Sequence, residues 1–294
     1  MIKSLRIFPV LVFLALSPTF LAQTHDFTGV IKLNDSAFIP YKLVFDINDE
    51  GQISGFSLTD FAGKHETKSN LRGAYNAEEN MLRFQEYDIV YTKSPVVETD
   101  FCFVQFEGLV KNLERAKAMS GLFNGYYAND QPCLDGEVTM TKTSVIQDRV
   151  RRMDKRIQRS NKFSAAVKRK VSAKRILDTL TRNTIEANET LNVFTADEAV
   201  DLIVYDAGKI DQDRITITVN GEALLTDFET TAEQKVMRIP LEKEQTIIQI
   251  LALNEGSSPP NTAKIEVRDS QNYVQTITNL KKGESATLTV IRKK

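Results

Sequence analysis

The chain has 294 residues, and its hydrophobic fraction of 41% is enough to build cores for roughly two domains of ordinary size. The formal net charge is −1, from 38 Lys or Arg and 39 Asp or Glu, and the chain has 2 His. So few His leave little material for a His-based triad or a His-rich metal site. Beyond the N-terminal segment, no stretch is apolar for long enough to cross a membrane as a helix.

The first 23 residues have the pattern of a secretory signal peptide. Lys3 and Arg6 precede an apolar run over residues 7–16, and small or weakly polar residues follow as far as Gln23. The apolar run is shorter than the roughly 20 residues that span a bilayer. We therefore predict that residues 1–23 are removed, with cleavage near residue 22 or 23, and that the protein is secreted or periplasmic.

Residues 24–143 alternate in the manner of β-strands. From Tyr41 to Ile47 every second residue is apolar, and turn-forming residues recur at 48–51, 62–64 and 76–80. About eight strands fit, with no convincing helix between them. The pattern predicts an antiparallel meander that forms a small barrel or a sandwich.

Glycines and aromatic residues add detail to this first domain. Glycine inside a strand usually marks a bulge or bend, which would help a sheet to curl towards closure. Most of the chain's aromatic residues also lie here, so a barrel interior would either hold an apolar ligand or be filled by its own rings. The strand-interior glycines are Gly29, Gly55, Gly73, Gly108 and Gly121.

The chain has two cysteines, Cys102 and Cys133. Export implies an oxidising compartment, so a single disulfide between them is the expected state. Two free thiols or a metal site are the alternatives, although two Cys without a nearby His make a poor metal site.

Residues 144–186 are predicted to form a basic helical linker. Ile146, Val150, Met153 and Ile157 recur at spacings of four, three and four, and no Pro or Gly interrupts the segment. The pair at 160–161, Ser-Asn, is expected to divide it into two helices.

The same linker concentrates positive charge. Thirteen Lys or Arg lie between residues 146 and 182, against three Asp. One interpretation is a solvated connector whose cations face the two acidic domains. The other is a surface that binds lipopolysaccharide phosphates or an anionic membrane. Nucleic acid is not an expected partner of an exported protein, and Phe163 alone interleaves the cations.

Residues 187–294 return to strand patterns and predict an immunoglobulin-like or jelly-roll-like β-sandwich. Asn220-Gly221 is a tight-turn signal, and the apolar run at 247–253 is typical of a central strand. The seven predicted strands are 197–205, 214–219, 235–239, 245–253, 263–267, 273–277 and 286–291.

An acidic loop over 206–213 is the sharpest local feature of this second domain. Asp206, Asp211 and Asp213 could gather oxygen ligands around Ca²⁺, with Gly208 allowing a tight turn. The alternative is an acidic hairpin loop in which Asp side chains accept hydrogen bonds from nearby backbone N–H groups. The sequence suggests no other cofactor.

A second loop, over 252–263, contains Asn254, Pro259, Pro260 and Asn261. The two prolines stiffen it, and the asparagines can tie its backbone locally. It is a candidate interaction loop at one end of the sandwich. A loop that serves only to turn the chain is the alternative.

These motifs together resemble a β-sandwich module of exported proteins from Gram-negative bacteria. The resemblance rests on the Asp-rich turn, on Asn220-Gly221 and on the Ala-Leu-Asn-x-Gly-x-x-Pro-Pro-Asn-Thr-Ala run at 252–263. It covers about a third of the chain and implies an accessory or surface-associated domain without a known activity. Residues 25–143 are only loosely similar to lipocalin-type barrels.

Catalytic motifs are not apparent in the sequence. His25 is expected to fray beside the cleavage site, His65 lies in a polar turn, and no nucleophile elbow or phosphate-binding loop occurs. We predict an exported, non-enzymatic binding protein for an apolar ligand or a protein partner. One alternative is an envelope-associated protein that uses the basic helices on an anionic surface. A hydrolase with an unrecognised carboxylate pair is the other.

Overall fold

The computed structural model describes residues 23–33, 37–95, 98–173, 177, 183–206 and 210–293. The predicted signal peptide up to residue 22 lies outside the described residues. The chain is mainly β, as the sequence predicts. None of the described helices is long and apolar enough to cross a membrane.

The first domain is a closed barrel of eight antiparallel strands in meander order. Each strand pairs with the next one in sequence, including β5 with β6, and the pairing of β8 with β1 closes the barrel. This resolves the predicted choice between barrel and sandwich. The strands are β1 (Gln23–Lys32), β2 (Phe38–Ile47), β3 (Gln52–Thr59), β4 (Thr67–Asn76), β5 (Met81–Thr92), β6 (Phe103–Leu109), β7 (Ala118–Tyr126) and β8 (Pro132–Lys142), with a 3₁₀ turn at Glu98–Asp100.

Close approach of neighbouring strands explains two of the strand-interior glycines. A Cβ on Gly29 would lie 1.9 Å from the carbonyl oxygen of Thr139, and one on Gly55 would lie 2.1 Å from that of Val44. The ladders pass both glycines without a register shift, so the predicted bulges do not occur there. Glycine is required instead because the strands of a small barrel coil tightly against each other.

The barrel interior is filled by the protein's own side chains. Rings and aliphatic groups from every strand pack into one buried cluster, as in other small barrels. The packing favours core filling over an internal apolar ligand. The largest of these residues that are less than 2% exposed are Phe27, Tyr41, Leu43, Phe45, Leu71, Leu82, Phe106 and Met140.

Cys102 and Cys133 form a disulfide, with Cα atoms 6.0 Å apart. Cys102 directly precedes β6, and Cys133 lies at the start of β8. The bond therefore joins the two strands that flank β7, and it confirms the predicted pairing.

After the barrel, the helices whose bounds lie within the described residues are α1 (Thr143–Arg159) and α2 (Ala165–Lys170). The helical ladder ends at Ser160, where the sequence predicts a break. The prediction of helix as far as residue 186 is wrong at its end, because residues 184–186 form a strand that pairs in parallel with the sandwich. Ile185 is fully buried there, so burial against the sheet outweighs the helical pattern.

The second domain is a sandwich of two five-stranded layers. One layer has the order β13-β12-β15-β18-β10 and the other β14-β11-β16-β17-β9. The prediction missed β9, β10 and β13. The strands are β9 (Thr184–Glu186), β10 (Thr190–Thr195), β11 (Ala199–Tyr205), β12 (Arg214–Val219), β13 (Glu222–Glu229), β14 (Lys235–Pro240), β15 (Gln245–Ala252), β16 (Lys264–Arg268), β17 (Tyr273–Asn279) and β18 (Ser285–Arg292).

Barrel and sandwich are joined directly as well as through the helices. β10 pairs with the end of β5, so one sheet of thirteen strands runs through both domains. Val90 and Tyr91 of β5 are buried in the sandwich core. The Lys293 ammonium pairs with Asp88 and donates to the carbonyl of Ile89 at 2.9 Å.

Candidate functional site

The acidic loop and the proline-rich loop, which are separate in sequence, meet at one end of the sandwich. Asn254 accepts a hydrogen bond from the backbone N–H of Arg214 at 2.7 Å and donates to the carbonyl of Gln212 at 2.8 Å. The side-chain nitrogen of Asn261 donates to the carbonyls of Arg214 and Asn254, at 3.3 and 3.1 Å. The two asparagines therefore bind the loops to each other.

Three side-chain oxygens in this cluster are buried without a hydrogen-bond partner among the described residues. They are Oδ1 of Asp211, Oδ1 of Asp213 and Oδ1 of Asn261. Asp213 and Asn261 are 0% exposed and Asp211 is 7% exposed. The other carboxylate oxygen of Asp213 accepts the backbone N–H of Thr262 at 2.8 Å.

Electrostatics in the cluster oppose ionisation of Asp213. Burial raises the pKa of this carboxyl, the charges of Asp211 and Asp206 raise that pKa further, and the N–H of Thr262 partly offsets both effects. Asp206 is also buried. The hairpin-loop interpretation thus explains one oxygen of Asp213 and leaves the other oxygen without a role.

The carboxylates do not form a complete metal cage by themselves. Among the described residues, no group of three or more His, Cys, Asp or Glu is arranged to hold a metal ion. The predicted set of Asp206, Asp211 and Asp213 is therefore not arranged as a metal site by itself. Asn261, which the sequence analysis assigned to the other loop, has a buried amide oxygen without a hydrogen-bond partner in this same region.

The predicted interaction loop presents only part of itself to solvent. Pro259 is exposed, Pro260 and Asn254 are partly buried, and Asn261 is fully buried. The loop also approaches the acidic side closely, since a Cβ on Gly256 would lie 2.7 Å from Cγ of Asp211. Asn254 and Asn261 therefore bind the loop within the fold, and contact of this loop with a partner stays a prediction.

The second candidate site is the helical segment. Thr143, whose hydroxyl donates to Asp26, is the only buried residue of α1. The apolar stripe of the helix is left partly exposed, and Met153 is 46% exposed. Phe163 and Val167, which follow α1, are exposed as well.

Four of the cations of α1 form a row beside this apolar stripe. At 3.6 residues per turn, the three-four-three spacing of the row keeps it on one side of the helix. Among all the cations of α1, the one ion pair within the described residues joins Arg151, which lies outside the row, to Asp148 of the same helix at 3.8 Å. No cation of α1 pairs with an acid of the described parts of the two domains. The row consists of Arg149, Arg152, Arg156 and Arg159.

An open cleft of about 1050 Å³ lies at one end of the barrel, lined mostly by polar turn residues. His25 contributes to its wall and does not fray as predicted, because it lies within β1 and stacks on Phe45 at 5.1 Å between ring centroids. Burial lowers the pKa of His25, which favours a neutral ring. A polar cleft of this kind does not suit an apolar ligand.

A Ser–His contact was not anticipated from the sequence. Nδ1 of His65 lies 3.3 Å from the hydroxyl of Ser94 in an exposed loop region. No carboxylate bonds the other ring nitrogen of His65 among the described residues, so nothing there orients the ring as a catalytic triad requires.

No protein-family model, curated protein or solved structure matches this chain. The resemblance to an exported β-sandwich module therefore stays a prediction.

Proposed function

We propose that this protein is an exported, non-enzymatic binding protein that attaches to an anionic membrane surface through its basic helical segment. The observation that carries the proposal is the partly exposed apolar stripe of α1 beside a row of arginines that pair with no acid of the described domains. The Cys102–Cys133 disulfide is compatible with an oxidising compartment outside the cytoplasm.

A helix of this composition suits the boundary between water and lipid. An amphipathic helix with basic residues next to its apolar face can lie in the interface plane, with the apolar side chains among the acyl chains. Arginine stems extend along apolar surface while their guanidinium groups reach the lipid phosphates. Met153 would supply apolar contact, and Arg149 and Arg156 lie beside it on the basic flank.

The competing interpretations have less support. An apolar ligand inside the barrel would have to displace side chains that already pack there. A connector whose cations face the acidic domains would be expected to make ion pairs with them, and the described part of α1 makes none. Attachment to an anionic surface would use both the arginine row and the partly exposed apolar stripe of α1.

Replacing three arginines of the row by glutamine, in R149Q/R152Q/R156Q, is expected to weaken binding to phosphatidylglycerol vesicles about 100-fold. A basic residue near an anionic surface contributes about 1 kcal/mol, and each 1.4 kcal/mol is tenfold in affinity. Co-sedimentation of the full chain with vesicles would measure the change. Wild-type binding should fall steeply with added salt, because screening weakens exposed charge interactions.

The triple variant K235Q/K243Q/K282Q is the matched control, since it removes three exposed cations from the sandwich. It should bind like the wild type if the helix, and not overall charge, attaches the protein. Equal losses in both variants, or no wild-type binding at low salt, would refute the proposal. Binding to lipid A but not to phosphatidylglycerol would also refute a general membrane surface and would identify lipopolysaccharide phosphate as the target.

A further inference from the structure

We infer that Asp211, Asp213 and Asn261 are the protein ligands of a calcium ion that joins the acidic and proline-rich loops of the sandwich. The inference goes beyond membrane attachment and does not depend on it, since these residues lie in the sandwich and not in the helical segment. It revises the predicted ligand set by replacing Asp206 with the amide oxygen of Asn261 from the second loop.

The first argument is the three unsatisfied oxygens. Buried polar groups in folded proteins are almost always hydrogen-bonded, because a buried acceptor without a donor loses the hydrogen bonds that it made to water in the unfolded chain. Here three acceptors from three side chains lack a partner among the described residues, in one cluster. An oxygen can accept a proton donor or a cation, so a bound cation would satisfy all three at once.

The amide of Asn261 is the observation that separates this cluster from an ordinary acidic loop. Its nitrogen donates to two backbone carbonyls, which fixes the orientation of the side chain. The oxygen of the same amide is left without a donor, although the residue is 0% exposed. A neutral oxygen held in this way is a typical ligand for Ca²⁺.

Charge supports the same conclusion. Asp211 and Asp213 are both buried, and the charge of Asp211 opposes ionisation of Asp213. The nearest arginine in sequence, Arg214, does not neutralise them, because its guanidinium bonds Asp227 at 2.7 Å and lies 3.9 Å from Glu229. A divalent cation would balance the two ligand carboxylates.

The ligand chemistry selects calcium among the common metals. The set contains oxygen only, with two carboxylates and one amide, and neither His nor Cys contributes. Oxygen ligands suit Ca²⁺ and Mg²⁺, and Zn²⁺ or Cu²⁺ prefers nitrogen or sulfur. Ca²⁺ takes six to eight oxygens in flexible geometry, so backbone carbonyls and water can complete its shell. Mg²⁺ demands a stricter octahedron and is expected to bind more weakly.

The full chain, freed of metal with EDTA, is expected to melt roughly 5–10 °C higher when Ca²⁺ is added to about 100 times its dissociation constant. Isothermal titration with CaCl₂ should give one site per chain, and MgCl₂ should give a smaller shift. Neither heat nor a melting shift at millimolar Ca²⁺ would overturn the inference.

Asp213→Asn separates a ligand role from a structural role. The variant keeps the oxygen that accepts from Thr262 and removes a buried charge, so the metal-free protein should be as stable as the wild type or more stable. Its affinity for Ca²⁺ should nevertheless fall at least tenfold. Glu233→Gln removes the same charge from an exposed position of the sandwich and should leave the calcium shift unchanged.

Two outcomes of the variant experiment would contradict the site. Wild-type affinity in Asp213→Asn would do so directly. An equal loss in Glu233→Gln would mean that the protein attracts Ca²⁺ by its overall charge alone. If Asp213→Asn does not fold, Asp211→Asn gives the same decision. It keeps the side-chain shape, removes one charge from the ligand set and should also lower the affinity for Ca²⁺ at least tenfold.

Discussion

Replacing Glu86 by leucine is expected to lower the free energy of unfolding by about 3–5 kcal/mol, because it leaves buried donors without an acceptor. Glu86 lies inside the barrel and is 2% exposed. One of its oxygens accepts from the hydroxyls of Tyr41 and Ser57, at 2.8 and 2.5 Å, and the other accepts the backbone N–H of Val104 at 2.9 Å. Chemical denaturation of the full chain would measure the loss.

Two further variants show whether the lost acceptor is the cause. Glu86→Gln should be much milder, because the amide oxygen can still accept from Val104 and the two hydroxyls can accept from the amide nitrogen. Glu137→Leu makes the same chemical change at an exposed position of β8 and should cost less than about 0.5 kcal/mol. A loss in Glu86→Leu no larger than in Glu137→Leu would contradict the explanation.

Glu86 also predicts a dependence of stability on pH. Burial raises the pKa of its carboxyl above the ordinary 4.5, although the three donors partly offset this effect. Between the ordinary and the raised pKa the folded state holds more protons than the unfolded state. This contribution to stability is therefore complete below the ordinary pKa and is lost as pH rises through the raised pKa. Glu86→Gln, which does not titrate, should show a smaller decline over that range.

Removing the disulfide in the double variant C102S/C133S is expected to cost about 3–4 kcal/mol of unfolding free energy. The cystine spans 31 residues, and a cross-link of that length removes conformational entropy from the unfolded chain. The bond also joins the strands on either side of β7. Urea denaturation of the variant and of the wild type would give the difference at constant pH.

The control for this experiment is the wild type after mild reduction, which breaks the bond without changing either residue. It should lose the same stability as the double variant. If the reduced protein were as stable as the oxidised one, the disulfide would not stabilise the fold by restricting the unfolded chain, and the explanation would be wrong.

The fold was largely predictable because its signals are local. Alternation in 24–143 predicts eight strands, and the two-residue spacing of apolar positions fixes which side chains enter the barrel. The missed strands have physical reasons. Within the described sheet, β13 is an edge strand beside β12, it is mostly exposed, and its two core-packed residues, Leu225 and Phe228, do not follow a regular two-residue alternation. β9 has three residues and depends on its pairing with β17.

The candidate metal site was only half predictable. The sequence reveals the acidic loop, but it does not reveal that Asn261, about fifty residues later, would lie beside it. That proximity depends on how β12, β15 and the loop after β15 are ordered across the sandwich. Likewise, the helical periodicity predicts the apolar stripe of α1, but the exposure of that stripe depends on how the helix leaves the end of the barrel.

The sheet that passes from β5 into β10 means that the helical segment is not the sole link between the barrel and the sandwich. Strand pairing, the burial of Tyr91 in the sandwich core and the hydrogen bond from Lys293 to Ile89 also join the two domains. A lipid surface bound by α1 would therefore be connected to both domains through this shared sheet.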